Sequence, residues 1–386
     1  MPVKSWVITD LAEGKHETDL EGLLGKSTGA LPAGVTVAQR TWRGGLSDGV
    51  DEIRINNGRF QFSVLPTRGM GLWKGWIGGR TVGWKSPVRG PVHPQFVPLH
   101  EPSGLGWLDG FDEWVCRCGA LSNGAPDFNE QGQLTYPLHG RLANTPAHYV
   151  ELRIEDDVIS LRGVVTEARF HFQKLQLTTT ITTRVNQPGL EILDEVKNLS
   201  ASAGETQMLY HCNFGAPLLG AGAEVVMPSS RIVPRNDWAA EGIGHWSTYQ
   251  APTPAMPKRV YFHALFADDN RQTLAILRDA KSSHGVALEW NVDQLPYFSL
   301  WKNETGLEDG YVTGLEPGTN FPNPRTFEGE HGRVVQLAPG ATHTMKLGFT
   351  YLENNDAVKQ AESRVETIRG GRPVEIADKP TADWCA

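Results

Sequence analysis

The sequence predicts an all-β protein: antiparallel strands stacked as a large sandwich, with one short helix near the C-terminus. Three observations carry that expectation. The 386 residues include 42 Gly, 25 Pro and 12 Trp, a composition that suits many short strands separated by tight turns. Apolar and polar residues alternate over run after run, the period of strands with one buried face. One stretch alone, "NDAVKQAESRVETIRGG", has a convincing helical pattern, and Gly370 and Gly371 close it after Arg369, the order in which helices end.

In chain order, strand-like runs occur at 34–42, 52–65, 149–154, 158–166, 189–197, 205–214, 258–266, 272–278, 284–291, 296–302, 333–337 and 343–351. That is too much strand for one flat sheet, so the sheets stack or close up. Within "RFHFQKLQLTTTITTRV", Phe170 and Phe172 share one phase while Leu175, Leu177 and Ile181 continue in the other. The slip at Lys174 predicts a β-bulge. Two loop-rich regions, 84–110 and 228–257, are dense in proline; long ordered loops on a β scaffold border a site more often than they divide domains. Strand patterns continue on both sides of each. Residues 1–386 are therefore read as a single domain, with a core over about 30–350, the helix over 354–371 and a tail over 372–386.

Charge narrows the function. With 36 Lys and Arg against 44 Asp and Glu, the net charge is −8, and no basic footprint invites nucleic acid. The start "MPVKSWVITD" has no apolar signal segment, and nowhere do about 18 apolar residues run consecutively. No membrane partner is expected, and the cytoplasm is the expected location. Cys116, Cys118, Cys212 and Cys385 form a C-x-C pair and two singles, neither a disulfide framework nor a zinc knuckle. Reduced thiols are expected, in a monomer or homodimer.

Three short stretches carry the chemistry. "PLHGRLANTPAH" at 137–148 holds His139 and Arg141 on a turn flanked by Gly and Pro. In "QMLYHCNFG", alternation puts Met208, Tyr210, Cys212 and Phe214 on one face and Leu209, His211 and Asn213 on the other. The apolar set packs against a partner sheet, which leaves His211 and Asn213 on the opposite surface. In "GYVTGLEPGTNFPN", Glu316 ends an apolar run and meets Pro317 and Gly318, so its carboxylate is held at a rim.

In order and character these three motifs resemble those of the aldose 1-epimerase family, the galactose-mutarotase-like super-sandwich proteins. The resemblance runs from about residue 30 to about residue 350, although "LPTRGMGL" at 65–72 and "LHGRLANTPA" look like a separate branch of that superfamily. It implies Glu316 as general base, His211 as general acid and His139 as the histidine that contacts substrate. Anomer exchange needs these types: a base to take the O1 proton and an acid to protonate the ring oxygen. A carboxylate and an imidazole do both without a cofactor. The implied partner is a small-molecule carbohydrate.

The family's sugar-binding arginine stays open among Arg68, Arg117 and Arg141, and its aspartate between Asp237 and Asp293. Asn213, Trp238 and Lys302 complete the substrate-binding candidates. Indole stacks on the C–H faces of sugars, and among Trp107, Trp114, Trp238, Trp246 and Trp301 the polar neighbours favour Trp238 and Trp301. No H-x-x-x-H or H-x-H spacing and no glycine-rich phosphate loop is present, so neither metal nor nucleotide cofactor is expected. Two rival readings use the same fold. One is a carbohydrate-binding module without catalysis; the other is a lyase or isomerase acting on a keto-sugar or uronate, with Arg68, Arg141 and Lys302 clamping a carboxylate.

Overall fold

A computed structural model describes residues 3–25 and 31–386; the expected start of the core, residue 30, lies outside them. Clear alternation yields long strands. Lys174–Arg184 buries Leu175, Leu177, Thr179, Ile181 and Thr183 on one face and leaves the intervening residues partly exposed. Each fully buried aliphatic side chain contributes about 1.5–3 kcal/mol. Its neighbours Val158–Ala168 and Gly189–Asn198 pair with it on either side, extending the same apolar face.

Among the described residues the strands form two large sheets, one of ten strands and one of thirteen, and a small hairpin. Nearly all pairing is antiparallel. The short strand Glu375–Ile376 runs parallel to Ser229–Pro234. The inner faces meet through aromatic rings: Phe349 of the ten-stranded sheet stacks on Phe60 at 5.7 Å and meets Trp114 edge-on at 4.6 Å. A polar tie also crosses the gap. Arg117 Nε donates to Asp194 Oδ2 at 2.5 Å, and the Tyr210 hydroxyl donates to the same oxygen at 2.9 Å. Arg117 is thereby a buried structural residue.

The stretch around Phe170 departs from the expected bulge. Val158–Ala168 ends, residues 169–173 turn, and Lys174 begins the next strand. Phe170 and Phe172 are exposed on that turn, so the change of phase is a hairpin. The helix occurs as expected, over Asn355–Arg369, with the Asn354 side chain accepting from the Ala357 amide and Gly370 left-handed at its end. It lays Val358, Ala361 and Val365 on Leu274, Ile276 and Ala287 of the ten-stranded sheet.

The site depends on the thirteen-stranded sheet. At its centre lie Val115–Ala120, Gly204–Phe214 and Val312–Gly318, hydrogen-bonded in that order. Met208, Tyr210, Cys212 and Phe214 face the sandwich core, while Leu209 faces a second apolar cluster with Trp107, Phe111, Cys116 and Cys118. This is the division of faces that the alternation predicts.

Candidate active site

Pairing of Leu209 with Gly318 and of Cys212 with Leu315 sets His211 opposite Glu316 on adjacent strands. Directly opposed residues share a face. His211 Nε2 lies 3.1 Å from Glu316 Oε1, and both side chains are almost fully buried. Gly314 and Trp301 form the next pair along the same face. A Cβ on Gly314 would collide with Glu316 Oε1 and approach His211 Cε1 to 3.1 Å. Glycine here makes room for the carboxylate.

His139 arrives from the turn. It adopts a left-handed φ of 56°, which histidine tolerates better than most residues. Its amide donates to Gly124 O and its carbonyl accepts from Gly119 N, so the turn is tied to the end of Val115–Ala120. Its ring packs edge-on against His211 at 5.3 Å and Trp107 at 4.7 Å. His139, His211 and Glu316 line one cavity of about 260 Å³, walled by Trp107, Phe111 and Trp301 and open towards Arg235 and Lys258. That volume is at the small end for ligand pockets.

Hydrogen bonds fix the ring nitrogens. Asn213 Nδ2 donates to Glu113 O and His211 O, so its Oδ1, 2.7 Å from His211 Nδ1, accepts. Nδ1 of His211 therefore carries a proton, and Nε2 is the nitrogen free to exchange one. In the same way His139 Nδ1 donates to Asn123 O at 2.9 Å and leaves Nε2 to accept.

Burial sets the charges. It pushes the Glu316 carboxyl up to about 8, with Arg235 and Lys258 pulling in the opposite direction. It holds His211 well below the usual imidazole value, helped by His139 and opposed by the bond to Asn213. His139 is lowered to about 4, again by burial first. The His211–Glu316 pair thus holds one proton between them around neutral pH, and two such coupled groups titrate together. Among the described residues no group of three or more His, Cys, Asp and Glu side chains is arranged to hold a metal.

The other expected binding residues lie elsewhere. Arg68 is 1% exposed and donates to Glu113, Asn144, Val92 O and Gly110 O, which locks a buried corner and leaves no group for a sugar. Arg141 lines a separate cavity of about 460 Å³ with His100 and Glu167, because Gly140 turns the chain between it and His139. Asn213 orients His211 instead of facing the cavity. Asp237 and Trp238 stand on the short helix Asp237–Glu241, where Trp238 donates to Pro257 O and carries Arg259 over its ring. Lys302 donates to His245 O and Thr248 O and pairs with Glu304. Asp293 pairs with Arg271 on the surface.

Sequence reasoning missed Arg235 and Lys258. Pro234 pairs with Tyr261, and the Arg235 amide donates to Val260 O; Lys258, two residues before Val260, therefore projects to the same side. The signal lies in that register, which becomes visible only when the two strands are known to pair.

The sequence pattern of the family described as Domain of unknown function (DUF4432) matches residues 47–351. The chain belongs to this family. A DUF4432-wide match covers all three motifs of the site. No curated protein sequence matches the chain. Among solved structures, a putative aldose 1-epimerase from Klebsiella pneumoniae subsp. pneumoniae is 34% identical with a TM-score of 0.93, over 98% of this chain and 99% of that one. A galactose mutarotase-like protein from Clostridium acetobutylicum is 16% identical with a TM-score of 0.58, over 84% and 100%. Galactose 1-epimerase from Lactobacillus acidophilus NCFM is 13% identical with a TM-score of 0.55, over 83% and 99%. The last two establish likeness of fold alone. This DUF4432 protein has the galactose-mutarotase-like fold.

Proposed function

We propose that the protein is a cofactor-independent sugar epimerase of the aldose 1-epimerase type, exchanging the anomers of a monosaccharide. One observation carries the reading: His211 Nε2 and Glu316 Oε1 stand 3.1 Å apart at the floor of a small, aromatic-walled cavity that also receives His139. The rings of Trp107 and Trp301 suit the C–H faces of a pyranose.

In this reading the pair's proton passes from Glu316 to His211 Nε2 across the 3.1 Å contact. Glu316, now a carboxylate, takes the proton from O1 while His211 gives its Nε2 proton to the ring oxygen. The C1–O5 bond breaks as the C1=O1 double bond forms. Rotation about C1–C2 presents the other face of the aldehyde, and the ring closes with both protons returned. No proton is gained or lost overall, which matches a pair that holds one. Asn213 keeps Nε2 as the exchanging nitrogen, and His139 Nε2 accepts from a sugar hydroxyl.

Glu316→Gln preserves volume and hydrogen bonding but removes the base. Anomer exchange, followed by polarimetry or NMR on freshly dissolved α-anomers in D₂O, should fall by about 10² to 10⁴. Deuterium should stay off the sugar carbons. Full exchange in the variant would overturn the assignment of the base; deuterium on carbon would replace anomer exchange with carbon-acid chemistry.

A further inference from the structure

The cations of this chain are mostly matched where they are buried. Arg68 meets Glu113, Arg117 meets Asp194, Lys302 meets Glu304 and Arg333 meets Glu328. Arg235 and Lys258 differ. Both line the active-site cavity, and among the described residues neither has a side-chain hydrogen bond or an ion pair with a carboxylate. Arg235 is half-buried and Lys258 is exposed at the mouth. The cavity's one carboxylate is Glu316, which stands against His211. Two positive charges therefore converge on a small cavity in a chain whose net charge of −8 would by itself repel an anion.

Their convergence is built into the sheet. Arg235 follows the strand Ser229–Pro234 and Lys258 precedes the strand Arg259–Leu265. The antiparallel pairing of these strands brings both to one end and one side, flanking Val260. The cavity lining also includes apolar Leu105, Leu108 and Pro322. Low-dielectric walls concentrate the field of the cations on whatever enters. A neutral aldose would offer them only hydroxyl dipoles, whereas an anion brings a full opposite charge and can accept paired bonds from the Arg235 fork.

We infer that the substrate is an acidic monosaccharide whose anionic group sits between Arg235 and Lys258 while its anomeric carbon faces His211 and Glu316. The inference rests on the epimerase reading for the identity of the ligand as a sugar, and it adds the class of sugar. A carboxylate and a phosphate share the required chemistry.

The test compares sugars that differ only in that group, by isothermal titration of the full chain at low ionic strength. D-galacturonate and D-galactose 6-phosphate are set against D-galactose, and D-glucuronate against D-glucose. At least one acid should bind about tenfold or more tightly than its neutral parent, and whichever acid does so separates carboxylate from phosphate. The advantage should shrink as salt is raised, because Lys258 is open to solvent. Arg235→Gln and Lys258→Gln should each reduce it. Lys258 is at the surface, so its variant keeps the test in force should Arg235→Gln fail to fold.

Equal or tighter binding of the neutral parents in both series overturns the inference, as does an undiminished acid preference in Lys258→Gln. Polarimetry separates the two claims. Acid-selective binding without faster anomer exchange sinks the epimerase reading alone, and faster exchange of neutral aldoses without acid preference sinks this inference alone.

Discussion

Burial holds Glu316 and His211 each in its uncharged form, which for the carboxyl is the form that neutral water disfavours, and the energy of that arrangement is open to measurement. The carboxyl is raised to about 8 by burial and the imidazole is pushed well below its usual value by the same cause. The reacting state has one proton on the pair. At high pH the pair loses that proton near 8, and at low pH it takes a second one only well below the ordinary imidazole value of about 6.5. kcat/KM for anomer exchange should therefore be level through neutral pH and fall above about 8; a rate that instead climbs through pH 8 would show that the active pair carries no proton. Stability follows from the same shift. A free carboxyl titrates near 4.3, so between there and about 8 the folded state binds the extra proton, and stability falls as pH rises through that window. Glu316→Gln has no such proton. Its melting temperature should exceed that of the natural protein by a margin that widens from pH 5 to pH 8, and parallel melting curves across that range would count against the raised carboxyl.

Individual strands show what makes a residue pattern legible. Gly204–Phe214 is buried on both faces, but one face carries His211 and Asn213 between the apolar Tyr210, Cys212 and Phe214 of the other, so polar and apolar residues still alternate and the two positions follow from that alternation. Gly71–Ile77 and Val115–Ala120 were not readable, since nearly every residue in them is buried and a strand covered on both faces loses the period of two. Val312–Gly318, buried throughout, showed only as an apolar run ending at Glu316. The buried arginines misled for a related reason: sequence shows a charge but not its partner, and Arg68 is consumed by Glu113. The close packing of these central strands makes Gly314 informative. Its backbone is not in the left-handed region, so alanine fits the strand, but the added methyl would meet Glu316 Oε1 and come within 3.2 Å of Trp301 Cε3. Gly314→Ala should cost about 1–3 kcal/mol as overpacking and lower kcat by about 10², the usual result of displacing a reacting group by roughly 1 Å. Unchanged turnover in a folded variant would mean that the carboxylate is not where the chemistry happens.

At the scale of the molecule, the two sheets have different duties. The ten-stranded sheet supplies apolar surface, while the thirteen-stranded sheet uses its inner face for the core and the centre of its outer face for the cavity. The central strands must therefore be pinned from behind without help from the cavity side, and the Arg117–Asp194 tie does so. Arg117 lies on Val115–Ala120 between Cys116 and Cys118, which underlie the cavity, and Cys116 pairs with His211. Its guanidinium also donates to Met70 O at 2.9 Å and to Thr179 Oγ1 at 2.6 Å, so one buried cation joins both sheets. Removing Asp194 would leave that cation without its counter-charge, and breaking such a pair costs about 3–5 kcal/mol. Asp194→Leu should lose this much in urea unfolding, and Arg117→Met should lose a comparable amount. The double variant replaces the pair with apolar side chains and should be more stable than the sum of the two losses, because neither charge is then stranded. Strict additivity, or a loss below about 1 kcal/mol in either single variant, would mean that the ring contacts around Phe349 hold the sheets together on their own and that the tie contributes nothing to the site above it.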